Sequence, residues 1–230
     1  MNIIEVKNLN KSFNVGKECI HVLKNINLNV RKGEFISIMG PSGGGKSTLL
    51  YLLGGLDKPT SGIVSIEGKD ISKIKKKEIS WMRRNRIGFV FQFYNLVPNL
   101  SVEDNIMLPV ILDGKKIKDY NKRLDEILDI IGMKEKRKMT PRELSGGQQQ
   151  RVAIARALIF EPEIIFLDEP IGNLDSKTGT EIMEIFRRVN REYGKTLIQV
   201  THSAESARYG TSVIRLIDGE IVDREDLKNK

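Results

Sequence analysis

The stretch Gly40-Pro41-Ser42-Gly43-Gly44-Gly45-Lys46-Ser47 decides the fold. Before it, Glu34–Met39 is an apolar run that reads as a buried strand; after it, Lys46 to about Leu53 reads as a helix. The spacing G-x-x-x-x-G-K-[ST] between strand and helix is that of a phosphate-cradling loop. Glycines let successive backbone N–H groups wrap an anion, and a helix N-terminus adds partial positive charge. Lys46 supplies a point charge for β- and γ-phosphates, and Ser47 a hydroxyl for Mg²⁺. Gly40 to Thr48 is thus the expected nucleotide cradle. A buried lysine after three glycines has no evident structural use otherwise.

Two further stretches extend this reading. Ile164-Ile165-Phe166-Leu167-Asp168-Glu169 is an apolar run ending in two acids. Four successive apolar residues predict a central strand buried on both faces. Carboxylates at its end are costly unless metal or polar partners receive them. Asp168 fits a Mg²⁺ partner acting through water, since that ion keeps part of its hydration shell. Glu169 fits the base or orienter of an attacking water. The second stretch, Leu144-Ser145-Gly146-Gly147-Gln148, opens a helix that runs to Leu158. Ser145 can cap that helix, or offer its hydroxyl and the following amides to an anion. Taken alone, the cap is the simpler reading. One phosphate tail needs only one cradle of the first kind, however. Two different loops in one chain suggest a nucleotide shared between two chains.

Along the rest of the chain strands alternate with helices, which points to an α/β domain. Strands are expected at Ile3–Leu9, His21–Val30, Ile63–Ile66, Ile87–Phe91, Thr196–Val200 and Ser212–Ile217. Ser101 can cap a helix whose first turn carries Glu103 and Asp104, suited to the helix dipole. Leu124, Ile127, Leu128 and Ile131 share one helical face. Between Phe93 and Phe160 there is little strand signal, so this segment reads as an inserted helical lobe. Another helix is expected from Ser176 to Tyr193, and Asp218-Gly219 is a hairpin turn. The charged tail after Asp223 reads as frayed.

Bulk properties agree. A chain of 230 residues can bury one substantial core. With 40% hydrophobic and 30% charged residues it has the composition of a soluble globular protein. No apolar run approaches the roughly 18 residues of a membrane span, and the N-terminal residues lack a signal-peptide pattern. The single Cys19 excludes an internal disulfide framework and fits a reducing cytosol. A net charge of +8 reads first as a solvated basic surface, then as attraction to an anionic membrane face. No nucleic-acid partner is expected, because no helix-turn-helix, zinc-ligand or RNP-like pattern accompanies the charge. The cluster Lys73–Arg86 around Trp81 reads as a helix with a wet basic face.

These residues together carry a resemblance that spans roughly residues 3 to 222. Gly40–Ser47 resembles a Walker A loop, Gln92 a Q-loop, Leu144–Gln148 the signature motif and Ile164–Glu169 a Walker B strand. Asp175 is placed like a D-loop aspartate and His202 like an H-loop histidine. All occur in the order of ABC-transporter ATPase subunits. Gly55–Gly62, Gly88–Gln92 and Gly172–Asp175 resemble the lipoprotein-release, macrolide-exporter and antimicrobial-peptide-exporter group. The resemblance implies an α/β P-loop core: a mixed sheet flanked by helices, with an N-terminal antiparallel β subdomain and an inserted α-helical subdomain. The core and β subdomain would take residues 1–92 and 161–230, the helical subdomain 93–160. ATP and Mg²⁺ are the implied cofactors. Phe13, between two short strands, would stack on adenine. Gln92 would ligate Mg²⁺ alongside Ser47 and Asp168, and His202 would contact the γ-phosphate. Lys46, Gln92, Glu169 and His202 form the implied catalytic set. Ser145, Gly146, Gly147, Gln148 and Asp175 would meet the partner's nucleotide in a homodimer with ATP sandwiched head to tail. A membrane permease would complete the assembly on the cytoplasmic side. The apolar stretch Phe93, Tyr94, Leu96, Val97 and Leu100 could receive a permease helix.

Three positions depart from the commonest family pattern: Phe13 for Tyr, Gly44 for Ser and Ile171 for Thr or Ser. Competing readings are an ATP-driven switch that moves no solute, a soluble ATPase of translation or repair, and a P-loop module that only binds. The absence of a second such domain and of long heptads disfavours the second; Glu169 and His202 disfavour the third. The cargo is not written in this chain.

Overall fold

The computed structural model describes residues 1–227. Its frame is a six-stranded sheet in the order β10-β9-β3-β8-β7-β6. The strands are β3 (Phe35–Met39), β6 (Ile87–Val90), β7 (Ile164–Asp168), β8 (Thr196–Thr201), β9 (Ser212–Ile217) and β10 (Glu220–Asp226). All pairings are parallel except β9 with β10, which Asp218 and Gly219 join at φ of 48° and 81°. A second, antiparallel sheet has the order β2-β1-β4-β5, from β1 (Asn2–Val15), β2 (Glu18–Arg31), β4 (Ser61–Ile66) and β5 (Lys69–Asp70).

Strand alternation splits the core in two. In β7, Ile164 and Phe166 face one cluster, while Ile165 and Leu167 face the other. The first cluster joins one face of the parallel sheet to β1, β2, β4 and helix α1 (Lys46–Leu53). The second joins the opposite face to helices α3 (Val102–Leu112), α4 (Asn121–Ile130), α5 (Gly146–Leu158) and α6 (Ser176–Tyr193). Helix α2 (Lys76–Asn85) lies between β5 and β6, and the short α7 (Ala204–Ala207) follows β8. No strand lies between β6 and β7, as the missing period-2 signal predicted. Yet α3, α4 and α5 share their apolar cluster with β7 and α6, so the segment has no separate core.

Two expectations need correction. The strands at Ile3–Leu9 and His21–Val30 are the inner parts of a longer hairpin whose outer arms are mostly exposed, with Phe13, Val15 and Ile20 among the exposed residues, so no inside–outside alternation marked them. Asparagines stabilise its irregular points. Asn8 and Asn25 have φ near 47–48°, Asn27 Oδ1 accepts from Asn8 N, and Asn10 Oδ1 accepts from Asn25 N. The tail after Asp223 is not frayed as far as it is described. β10 pairs to Asp226, Arg224 donates to Glu34, and Leu227 N donates to Thr211 O. Residues 228–230 of that tail lie outside the described residues. The basic cluster Lys73–Arg86 is largely exposed, as expected, with only Met82 of α2 buried, although Arg84 pairs with Asp113, Arg86 with Glu67, and Lys73 with Asp70.

Candidate active site

Parallel strands bring their C-terminal ends to one edge, and this edge holds the site. β3 runs into Gly40–Ser47, β7 ends at Asp168, β8 at Thr201, and β6 stops two residues before Gln92. In the loop, Gly43 and Gly45 take left-handed φ of 78° and 88°. A Cβ at Gly40 would stand 1.9 Å from the Leu216 carbonyl oxygen, so β9 packs directly on the loop's first residue. A Cβ at Gly44 would meet Pro41 O at 3.1 Å, and Gly44 N already donates to that oxygen. Glycine at 44 therefore suits this tight turn.

Lys46 is buried, and its ammonium donates to Gly40 O and Pro41 O at 2.9 Å each. The lysine thus has a structural use: it ties the loop's own carbonyls together at its mouth. Ser47 Oγ donates to Asp168 Oδ1 at 2.9 Å, and Tyr51 Oη donates to Asp168 Oδ2 at 2.5 Å. Ser47 and Tyr51 stand four apart on α1, on one face of the helix. Burial, together with the bond to and charge of Asp168, pushes the Tyr51 phenol up to about 12. It therefore stays protonated as a donor.

Glu169 leaves the strand with φ of 48°, held by its N–H on Val200 O and by Gly172 N–H on its own carbonyl. That left-handed residue breaks the strand's alternation. Asp168 can then face α1 while Glu169 Oε2 meets His202 Nδ1 at 3.0 Å. The contact is an ion pair when the imidazole is protonated. His202 is largely exposed and Glu169 largely covered. Both line a cleft of about 220 Å³ with Gly172, Asp175 and Thr201.

Gln92 pairs with Asn173. Its amide donates to Asn173 Oδ1 at 3.2 Å, and Asn173 Nδ2 returns a bond to Gln92 O. Among the described residues no hydrogen bond joins Gln92 to Ser47 or Asp168. A Cβ at Gly172 would lie 2.9 Å from the Gln92 amide nitrogen, so glycine permits this approach. Asp175 caps α6: it accepts from Thr178 N and Thr178 Oγ1, which hold its carboxyl below the usual range. Ile171 packs on Gly179 of α6, an apolar use of the position where a hydroxyl is common.

Ser145 caps α5 in a reciprocal box, accepting from Gln148 N while its own N–H donates to Gln148 Oε1. A Cβ at Gly147 would sit 2.2 Å from Thr178 Cγ2, so α5 and α6 touch through this glycine. The surface around Ser145, Gly147 and Gln148 is lined by Gly132, Lys136 and Glu181, and includes no residue of Gly40–Ser47. Phe13 lies inside β1 rather than between two strands, half exposed, with the Lys11 ammonium 4.6 Å above one face of its ring. Lys11 is anchored in turn by Asp57 at 2.7 Å and Lys58 O at 2.8 Å. Past Gln92, the segment is strapped down. Buried Asn105 bonds Val97 N, Val97 O, Leu100 O and Ser101 O, and Arg156 donates to Tyr94 O and Asn95 O. Phe93 projects, 70% exposed, whereas Tyr94 is half-buried against Gly146.

The sequence reading missed Tyr51, Asn173 and Lys11. Tyr51 had a usable signal, its i+4 spacing from Ser47 on the predicted helix. Asn173 and Lys11 reach their partners only through tertiary folding.

A Gly-rich phosphate loop and paired acids at one edge of a parallel sheet define a P-loop nucleotide hydrolase. The particular family follows from comparison. A family model described as ABC transporter matches residues 23–172, and the chain belongs to that family. It is 46% identical over 230 residues to an uncharacterized ABC transporter ATP-binding protein of Methanocaldococcus jannaschii, MJ0796, covering 98% of each chain. It is 44% identical to the lipoprotein-releasing system ATP-binding protein LolD of Geobacter metallireducens, covering 96% of this chain and 98% of that one. A solved dimeric structure of the MJ0796 cassette, in a post-hydrolysis state bound to ADP and Pi, superposes with a TM-score of 0.89 at 45% identity. It covers 99% of this chain and 100% of that one. The chain is an ATP-binding subunit of an ABC transporter, with the mixed sheet, flanking helices and antiparallel β subdomain of that ATPase fold.

Proposed function

We propose that two copies of this chain close on two ATP molecules head to tail. Each ATP is held by the Lys46 loop of one copy and by Ser145, Gly146, Gly147 and Gln148 of the other. The observation that carries this reading is the surface around Ser145, which lacks every residue of Gly40–Ser47. A two-fold interface repeats each contact, so one pairing completes both sites. The dimeric MJ0796 cassette with ADP and Pi supports it.

The residues fit the nucleotide and its metal. Gly43 and Gly45 adopt the left-handed backbone that turns amides inward, and Lys46 already stands at the loop mouth. Ser47 Oγ and Asp168 Oδ1 are hard oxygens, the donors Mg²⁺ prefers. Among the described residues no three acidic, His or Cys side chains converge. A cation held by Ser47 and Asp168 would need further oxygen donors from the nucleotide or solvent. Bound Mg²⁺ would neutralise charge on the β- and γ-phosphates. Gln92 reaches it only by leaving Asn173, which suits a residue that reports nucleotide to residues 93–160. Those residues act as the helical subdomain, beside a core and β subdomain of 1–92 and 161–230. Glu169 orients water and accepts its proton, with His202 holding its carboxylate and meeting the γ-phosphate. Phe13 stacks on adenine, its far face backed by Lys11. Asp175 stands at the seam between copies.

Among the described residues no helix is long and apolar enough to cross a membrane. In this reading, a membrane permease couples hydrolysis to movement, as the family of ABC transporter ATP-binding subunits supports, with this subunit peripheral on the cytoplasmic face. Exposed Phe93 is the best-placed docking side chain. The cargo we propose is a peptide, antibiotic, lipoprotein or other hydrophobic molecule, exported or extracted; the lipoprotein-releasing relative supports the lipoprotein choice. A Glu169→Gln chain saturated with ATP should double in mass by light scattering; a strictly monomeric species would sink the sandwich.

A further inference from the structure

We infer that Tyr51 is a positioning residue for the metal site: its phenol fixes the Asp168 carboxylate so that the oxygen shared with Ser47 meets Mg²⁺ in a preset orientation. The inference rests on the reading of Asp168 as the Mg²⁺ partner. Two hydroxyls one helical turn apart each donate to a different oxygen of the same carboxylate. This two-point grip removes rotation about the Asp168 carboxyl, which a single bond from Ser47 leaves free. It also divides the labour. Ser47 gives its proton to Oδ1 and keeps its lone pairs for the cation, while Tyr51 occupies Oδ2, leaving Oδ1 as the carboxylate oxygen on the Ser47 side. The geometry is rigid on both sides. Asp168 is buried at the end of the central strand, and the Tyr51 ring packs on the first apolar cluster. Lys46 bonds Gly40 O and Pro41 O, and Glu169 meets His202, so neither holds the Asp168 carboxylate, and the role of Tyr51 is separate from that of Lys46 and from water activation.

Groups that orient a metal's partners change metal affinity by about tenfold or more when removed. Tyr51→Phe deletes the hydroxyl and keeps the ring. The readout is equilibrium binding of a fluorescent ATP analogue to a Glu169→Gln chain, titrated with Mg²⁺ and repeated in EDTA. The expected result is a Mg²⁺ midpoint raised about tenfold by Tyr51→Phe, with analogue affinity in EDTA unchanged. Combined with Asp168→Asn, Tyr51→Phe should add nothing. An unchanged or lower midpoint, or equal loss in EDTA, overturns the role of Tyr51. Asp168→Asn alone separates the two levels. If it leaves the midpoint unmoved, the magnesium reading of Asp168 fails; if it raises the midpoint while Tyr51→Phe does not, only the Tyr51 inference fails. A Tyr51→Leu chain guards against a packing artefact, since it should raise the midpoint as Tyr51→Phe does.

Discussion

His202 Nδ1 lies 3.0 Å from Glu169 Oε2, and the carboxylate it meets belongs to a residue with a left-handed backbone. The two facts are connected. A left-handed non-glycine costs about 1–2 kcal/mol, and here it turns Glu169 away from Asp168 and onto His202. Glu169→Gly should therefore be more stable than Glu169→Ala by about 1 kcal/mol, read from urea unfolding. Both should hydrolyse ATP about 10²–10⁴-fold more slowly than the parent in phosphate-release assays. Adding His202→Ala should cost little more, because the two residues act as a unit. Full additivity would break that link.

Gly147 is held to glycine by a methyl group. Thr178 Oγ1 is bonded to Asp175, which fixes the rotamer that points Cγ2 at Gly147. Gly147→Ala should destabilise by about 1–3 kcal/mol through overpacking. Thr178→Ser keeps the bond to Asp175, removes the methyl, and should restore most of that loss. Thermal unfolding of the single and double variants checks it; absence of rescue would place the strain elsewhere.

Asn105 spends its whole amide on the segment after Gln92. Asn105→Ala leaves several backbone groups of residues 97–101 without partners, at about 1–3 kcal/mol for each group that stays buried. The expected result is a lower unfolding midpoint and faster amide exchange confined to that segment. Uniform exchange across the chain would mean that the strap is not local.

Glu103 carries a pH dependence of known sign. Burial raises its carboxyl, but the bonds and charges of Lys138 and Arg137 outweigh this and hold it below the ordinary glutamate value. A depressed folded-state value stabilises above the unfolded value, about 4.3. The gain is lost as pH falls through the folded one. Glu103→Gln should flatten the loss of stability below about pH 4.3 by no more than about 1 kcal/mol, since Lys138 is exposed. Urea midpoints against pH test this.

Much of the architecture was legible because it is written in period and punctuation. Lys46–Leu53 and Ser176–Tyr193 coincide with α1 and α6, and the four apolar residues before Asp168 form an interior strand. The hairpin arms were not legible, since residues exposed on both faces, such as Asn14, Val15 and Glu18, carry no inside–outside alternation. At the site, linear motifs placed Lys46, Ser47, Asp168, Glu169 and His202 at one sheet edge. They gave no hint that Gln92 rests on Asn173, or that Tyr51 shares Asp168, because side-chain amides and phenols choose partners in three dimensions.

The apolar cluster that runs unbroken from α4 through α5 to β7 bears on how the chain melts and how it can be cut. Neither side of it keeps a dry interior without the other. Heating should give one cooperative transition, with equal calorimetric and van't Hoff enthalpies. Residues 93–160 expressed alone should aggregate, their inner face left raw. Any rearrangement of those helices during turnover is then a sliding of packed surfaces over the sheet, rather than a swing about a loose joint.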